Sequence, residues 1–126
     1  MLAVSACASG TQDEGPPSVG LRVTPAGGDV EVEAYPLAFQ IVDKIGQPAR
    51  NGEGHVHFYL DVDEIPTTPN KPAVTSDEST YHATAMTTHV WKDVGSGEHT
   101  FAVQLVNNDH APLEPPATAQ QVVVVD

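Results

Sequence analysis

From Val19 onward the chain alternates apolar and polar side chains in short runs, separated by clusters of Gly, Pro, Asp and Asn. A period of two marks strands with one buried face, and the clusters mark turns. Val19, Leu21 and Val23 alternate before Pro25-Ala26-Gly27-Gly28-Asp29, and Val30 and Val32 alternate with Glu31 and Glu33 just after it. This predicts a strand, a tight turn and a second strand. Leu37, Phe39 and Ile41 are read as one inward face running to Asp43, and the glycine- and proline-bearing stretch Ile45 to Gly54 as a loop. The clearest strand is His55 to Asp63: Val56, Phe58, Leu60 and Val62 share one face, and His55, His57, Tyr59 and Asp61 share the other.

Glu64 to Ser79 contains Pro66, Pro69 and Pro72 and is expected to be a long irregular connection. Thr80 to Val94, rich in Thr, Val, Tyr and Trp, predicts two short strands, with Gly95 to Glu98 as a turn. His99 to Val106 follows as a strand with Phe101, Val103 and Leu105 inward. Asn107 to Pro116 reads as a polar, proline-containing loop and Gln120 to Val125 as the last strand. No window sustains the three-to-four spacing of an amphipathic helix. The expectation is therefore all-β: an immunoglobulin-like or cupredoxin-like β-sandwich of about seven short strands over residues 19–126, preceded by a separate segment, 1–18.

Composition narrows the function. Hydrophobic residues make up 40% of the 126 but aromatic ones only 6%, so the core must be mainly aliphatic. Seventeen acidic against five basic residues leave a formal charge of −12. Such a surface repels a nucleic-acid backbone and suits a cationic partner. The lone cysteine, Cys7, excludes an internal disulfide and a thiolate zinc cluster, which need at least two sulfurs.

Cys7 closes Leu2-Ala3-Val4-Ser5-Ala6-Cys7, and Val4-Ser5-Ala6-Cys7 resembles the lipobox of bacterial and archaeal lipoproteins, whose cysteine is lipidated. A basic n-region and a full apolar h-region do not stand before it. Ala8 to Ser18 is small, acidic and proline-bearing, as a flexible tether is. The resemblance implies a membrane partner through a lipid on Cys7 and an extracytoplasmic location, at the cell surface or in the periplasm.

All six histidines lie between His55 and His110. In Gly54-His55-Val56-His57 the two imidazoles are two residues apart on a strand and project to one side, where they can face one ion without backbone distortion. That side is opposite Val56, Phe58 and Leu60. In a sandwich where the His55 and His99 strands are antiparallel neighbours, the start of the first lies beside the end of the second. His110, in Asn107-Asn108-Asp109-His110, then joins His55 and His57 as a third metal ligand. His82, Met86 and His89 are candidates for additional ligands if their segment folds over the same face. His99 is read as structural, bonding a loop carbonyl.

Imidazole-only ligation favours copper over zinc among divalent ions, while the absence of a cysteine beside the histidines argues against a blue-copper centre. No nucleophile elbow, phosphate loop or HExxH helix is present, so a non-enzymatic role is expected. The alternative to a metal-binding domain is a structural or adhesive surface module with no metal, its histidines satisfying loop backbone groups.

The runs Gly54-His55-Val56-His57-Phe58-Tyr59-Leu60-Asp61, Gly97-Glu98-His99-Thr100 and Val103-Gln104-Leu105-Val106-Asn107-Asn108-Asp109-His110, with the proline-rich stretch and final valine strand that follow, resemble a family of secreted or lipid-anchored β-sandwich domains. That family is the domain of unknown function 4399. The resemblance covers about residues 52–125 and implies a sandwich fold and an extracytoplasmic location, with the activity open.

Overall fold

A computed structural model of the protein describes residues 15–75 and 77–126. Cys7 and most of the expected tether lie outside them. The described residues form eight strands and one short 3-10 turn. A three-stranded sheet has the order β1-β2-β6, where β1 is Ser18–Ala26, β2 is Asp29–Leu37 and β6 is Thr88–Trp91. A five-stranded sheet contains β3 (Gln40–Ile41), β4 (Glu53–Leu60), β5 (Tyr81–Thr84), β7 (Gly97–Asn107) and β8 (Pro112–Val125). The chain is thus an all-β sandwich.

The β1–β2 hairpin closes on Gly27 and Gly28, both with positive φ (61° and 97°), a conformation that glycine adopts without a Cβ clash. Val30, Val32 and Ala34 of β2 point inward and are at most 3% exposed. The inward face expected to run on through Leu37 does not. Ala38 takes a left-handed φ of 59°, which ends β2 and carries the chain to the other sheet. Leu37 is left 64% exposed, while Phe39 and Ile41 pack against the core from the new direction.

β4 is the centre of the larger sheet. One edge pairs with β7 from Gly54↔Asn107 to Leu60↔Phe101. The other edge is shared by β3, in parallel at Gln40↔Glu53 and Ile41↔Gly54, and by β5, antiparallel from Val56↔Thr84 to Tyr59↔Tyr81. Antiparallel partners directly opposite share a face, so Val56, Phe58, Leu105, Val103 and Phe101 face the smaller sheet. With Val30, Val32 and Trp91 they form the apolar core.

The other face of β4 and β7 is buried too. His55, His57, Tyr59, Ala102, Gln104 and Val106 are no more than 2% exposed. The connection between β4 and β5 crosses this face, with Ala73 fully buried in it. Three bonds hold it there: Ala73 N–H donates to His110 O (2.7 Å), His57 Nδ1–H donates to Ala73 O (2.8 Å) and Gln104 Nε2 donates to Pro66 O (2.9 Å). The proline-rich stretch is irregular, as its composition predicts, but it covers a second interior instead of looping into solvent.

At the opposite end of β4, Asp61 takes a left-handed φ of 56° and ends the strand before Val62, shorter than the expected run to Asp63. Its carboxylate accepts Thr100 N–H (2.8 Å) and pairs with His99 Nδ1 (2.6 Å), while His99 Nε2 bonds Gly95 O (2.7 Å). This is the structural, carbonyl-bonding role expected of His99. The last strand begins at Pro112, not Gln120. Its register steps from Val106↔Pro112 to Leu105↔Ala117, so the intervening residues, two of them prolines, are accommodated beside a bulge. β8 lies at the edge of the sheet, where a missing N–H breaks no outer ladder.

The residue before His55 sets the approach of β4 to β7. A Cβ on Gly54 would collide with the backbone carbonyl of Val106 and lie 2.8 Å from the Phe39 ring. Backbone cannot swing aside as a flexible side chain can, so Gly54→Ala is expected to destabilise the fold by about 1–3 kcal/mol or more, lowering Tm by on the order of 10 °C. Calorimetric melting of wild type and variant measures this, and an unchanged Tm contradicts the packing described.

Candidate metal centre

β4 supplies two of the clustered histidines through its pleat. His55 and His57 point to the covered face, and their Nε2 atoms lie 3.1 Å apart. The third comes from the turn between β7 and β8, which the pairing Gly54↔Asn107 places beside the start of β4. His110 has a φ of 73°, and its N–H donates to Asn107 O (2.9 Å). The tight turn aims the ring inward, with Nδ1 at 3.3 Å from His55 Nε2 and 3.1 Å from His57 Nε2. The three residues form one group able to hold a metal ion.

The surroundings of His57 determine which nitrogen carries its proton. Nδ1 lies 2.8 Å from Ala73 O, which only accepts, so Nδ1 is protonated and Nε2 offers a lone pair to the cluster. Gln104 turns its amide nitrogen to Pro66 O, leaving Oε1 to accept the Tyr59 hydroxyl proton at 2.7 Å. A carbonyl that holds the far nitrogen of an imidazole fixes ring and tautomer together, the arrangement that supports metal-bound histidines.

Three nitrogens that are mutual neighbours pose a counting problem. Each presents either a proton or a lone pair, so at least two of the three must present the same thing. One contact is therefore always lone pair against lone pair or proton against proton, at 3.1–3.3 Å, whatever the tautomers. A cation satisfies all three lone pairs at once. His55 Nε2, His57 Nε2 and His110 Nδ1 would hold such an ion, as neutral imidazole donors do at transition-metal sites.

His55 Nδ1 is buried without a hydrogen-bond partner. The ligating tautomer places a proton there, at a cost of roughly 1–3 kcal/mol. Metal binding at structural imidazole and thiolate sites is worth about 10 kcal/mol or more, which outweighs it. Burial also keeps the His55 and His57 rings neutral. It is the main cause lowering His57 to about 3, with the neighbouring His55 charge acting in the same direction and the Ala73 bond opposing. For His55, burial and then the His110 charge lower the value to about 4, against the Asp109 carboxylate.

The structure does not bring His82, Met86 and His89 to this cluster. β5 and β6 belong to different sheets, and His82 pairs with Phe58, on the face opposite His57. His82 and His89 instead stack on one another (ring centroids 4.0 Å apart, 17° between planes), with His89 edge-on to Trp91, and Met86 is 64% exposed. Parallel rings direct their in-plane lone pairs side by side, away from a common point. The segment contributes Tyr81 to the covered face, with its ring 5.1 Å from that of His57.

The supporting residues Tyr59, Gln104 and Ala73 were not singled out from the sequence. Tyr59 has the parity of His55 and His57, and Gln104 pairs with His57 across the sheet, so both could be reached from the strand pattern. Ala73 acts through its backbone and leaves no such signal.

Residues 36–125 match the family model described as domain of unknown function DUF4399. The matched span contains all three clustered histidines and both strands that carry the covered face. No curated protein and no solved structure matches the chain.

The lowered imidazole values give a direction for stability. Below about pH 6.5 the unfolded chain binds protons that His55, His57 and, at about 4, His89 do not bind when folded. These three groups therefore contribute most stability above that pH and lose it as pH falls from about 6.5 toward 4, while His99, raised by its bond to Asp61, contributes in the opposite sense as one group against three. Urea unfolding at pH 6.5 and 5, above the carboxylate range, should show this loss. His57→Gln should lessen the dependence, and equal stability at both pH values contradicts the burial assigned to the cluster.

Proposed function

The chain belongs to the DUF4399 family, and we propose that it is an extracytoplasmic, lipid-anchored domain that captures a transition metal for delivery or tolerance, copper being the ion it holds best. The observation that carries this reading is the triangle of ring nitrogens, His55 Nε2, His57 Nε2 and His110 Nδ1, each within 3.3 Å of the other two. Neutral imidazoles follow the usual order of divalent ions, in which Cu(II) exceeds Zn(II). The acidic surface raises the local concentration of cations. The lipobox-like Val4-Ser5-Ala6-Cys7 supports the anchor and the location, and the absence of a nucleophile or phosphate-binding motif supports a role without catalysis.

A second reading has one observation in its favour. His57 and Gln104 satisfy carbonyls of the covering segment at Ala73 and Pro66, as histidines of a purely structural or adhesive module would. It leaves the unavoidable like-to-like contact within the triangle without a purpose.

Calorimetric titration of the metal-free full chain separates the two. The metal reading expects about one Cu(II) per chain with micromolar or tighter affinity, weaker binding of Zn(II), and at least about a tenfold loss in His110→Ala, whose ring is only partly buried and whose removal spares the sheets. His89→Ala should bind as wild type does. No copper binding at neutral pH, or equal binding by wild type and His110→Ala, removes the proposal.

A further inference from the structure

The three nitrogens are one donor short of the four that usually complete a tetrahedral metal site. Among the described residues no fourth histidine, cysteine or carboxylate joins the group. Of the two phenols beside His57, Tyr59 stands behind it at Nδ1 and is bonded to Gln104, and Tyr81, whose ring lies 5.1 Å from that of His57, is held protonated by burial, which raises its hydroxyl above the ordinary value, so neither offers an anionic ligand.

Charge points to what fills the fourth position. All three donors are neutral, so a divalent ion keeps both its charges in a site where His55 and His57 have no exposed surface. Such a charge is costly unless compensated. Asp109 is the acid that acts on His55. It is exposed, however, and its carboxylate is engaged by Ala111 N–H at 3.1 Å, so it compensates from a distance through solvent. A water molecule at the fourth position would leave the charge unchanged, whereas an anion would reduce it. His110, the partly buried member, leaves one side of the cluster within reach of solvent.

We propose that a divalent ion held by His55, His57 and His110 keeps one exchangeable position, and that this position binds small inorganic anions from solution. The proposal rests on the metal reading above and goes beyond it. It makes the site a Lewis-acidic centre with an open ligand position, distinct from a closed structural site in which the protein supplies every ligand.

The probe is the full chain loaded with cobalt(II) sulfate, whose visible bands report coordination number and ligands. Sodium azide is then added, with sodium perchlorate holding ionic strength constant. Azide should shift and intensify the bands to saturation with one azide per cobalt and an apparent Kd on the order of 1 mM, and perchlorate alone should not. Cobalt bands that ignore azide overturn this inference while leaving the metal reading intact. Failure of the wild-type chain to develop cobalt bands, with copper binding also absent, overturns both.

Discussion

Three imidazole nitrogens within hydrogen-bond distance of one another cannot all be satisfied by their own protons, and this constraint organises one whole face of the sandwich. His57 cannot relieve it by turning, because its Nδ1–H is committed to Ala73 O. His55 cannot reach solvent, and His110 is held by a turn whose backbone bonds run to Asn107 and to Ala73. The tension that the fold maintains here is the one a cation removes.

The apolar core and the histidine layer are two sides of the same strands. Val56 and Phe58 anchor β4 to the core, and the pleat sends His55 and His57 to the opposite side with no freedom to choose. Gly54 lets β4 approach β7 closely enough for the turn after β7 to bring His110 alongside. The covering segment is then tied down through Ala73, whose N–H and C=O bind two of the three clustered residues. Cover and cluster are mutually dependent, so the seating of Ala73 and the aim of the rings are held by the same bonds.

Most of this was legible from residue order. Alternation gave the strands, parity put His55 and His57 together, and antiparallel pairing of their strand with the His99 strand brought in His110. What escaped was long-range. Parity placed the histidines opposite the core but could not say that a proline-rich connection would bury them, because cover by irregular backbone leaves no periodic signal. His82, Met86 and His89 are candidate ligands only if their segment folds over that face, and the strands that carry the two histidines instead join different sheets and present them to the intersheet side. Leu37 was misplaced for a similar reason: the left-handed turn at Ala38, where the chain changes sheets, carries no glycine to announce it.

An all-β sandwich of the DUF4399 family assembles a three-histidine group that could hold a metal ion. X-ray absorption at the metal edge of the copper-loaded full chain tests the central claim most directly, because it identifies the donor atoms. The account predicts a first shell with three nitrogens at about 2.0 Å and the outer-shell scattering of three imidazole rings. A shell of oxygen donors lacking imidazole scattering would contradict it.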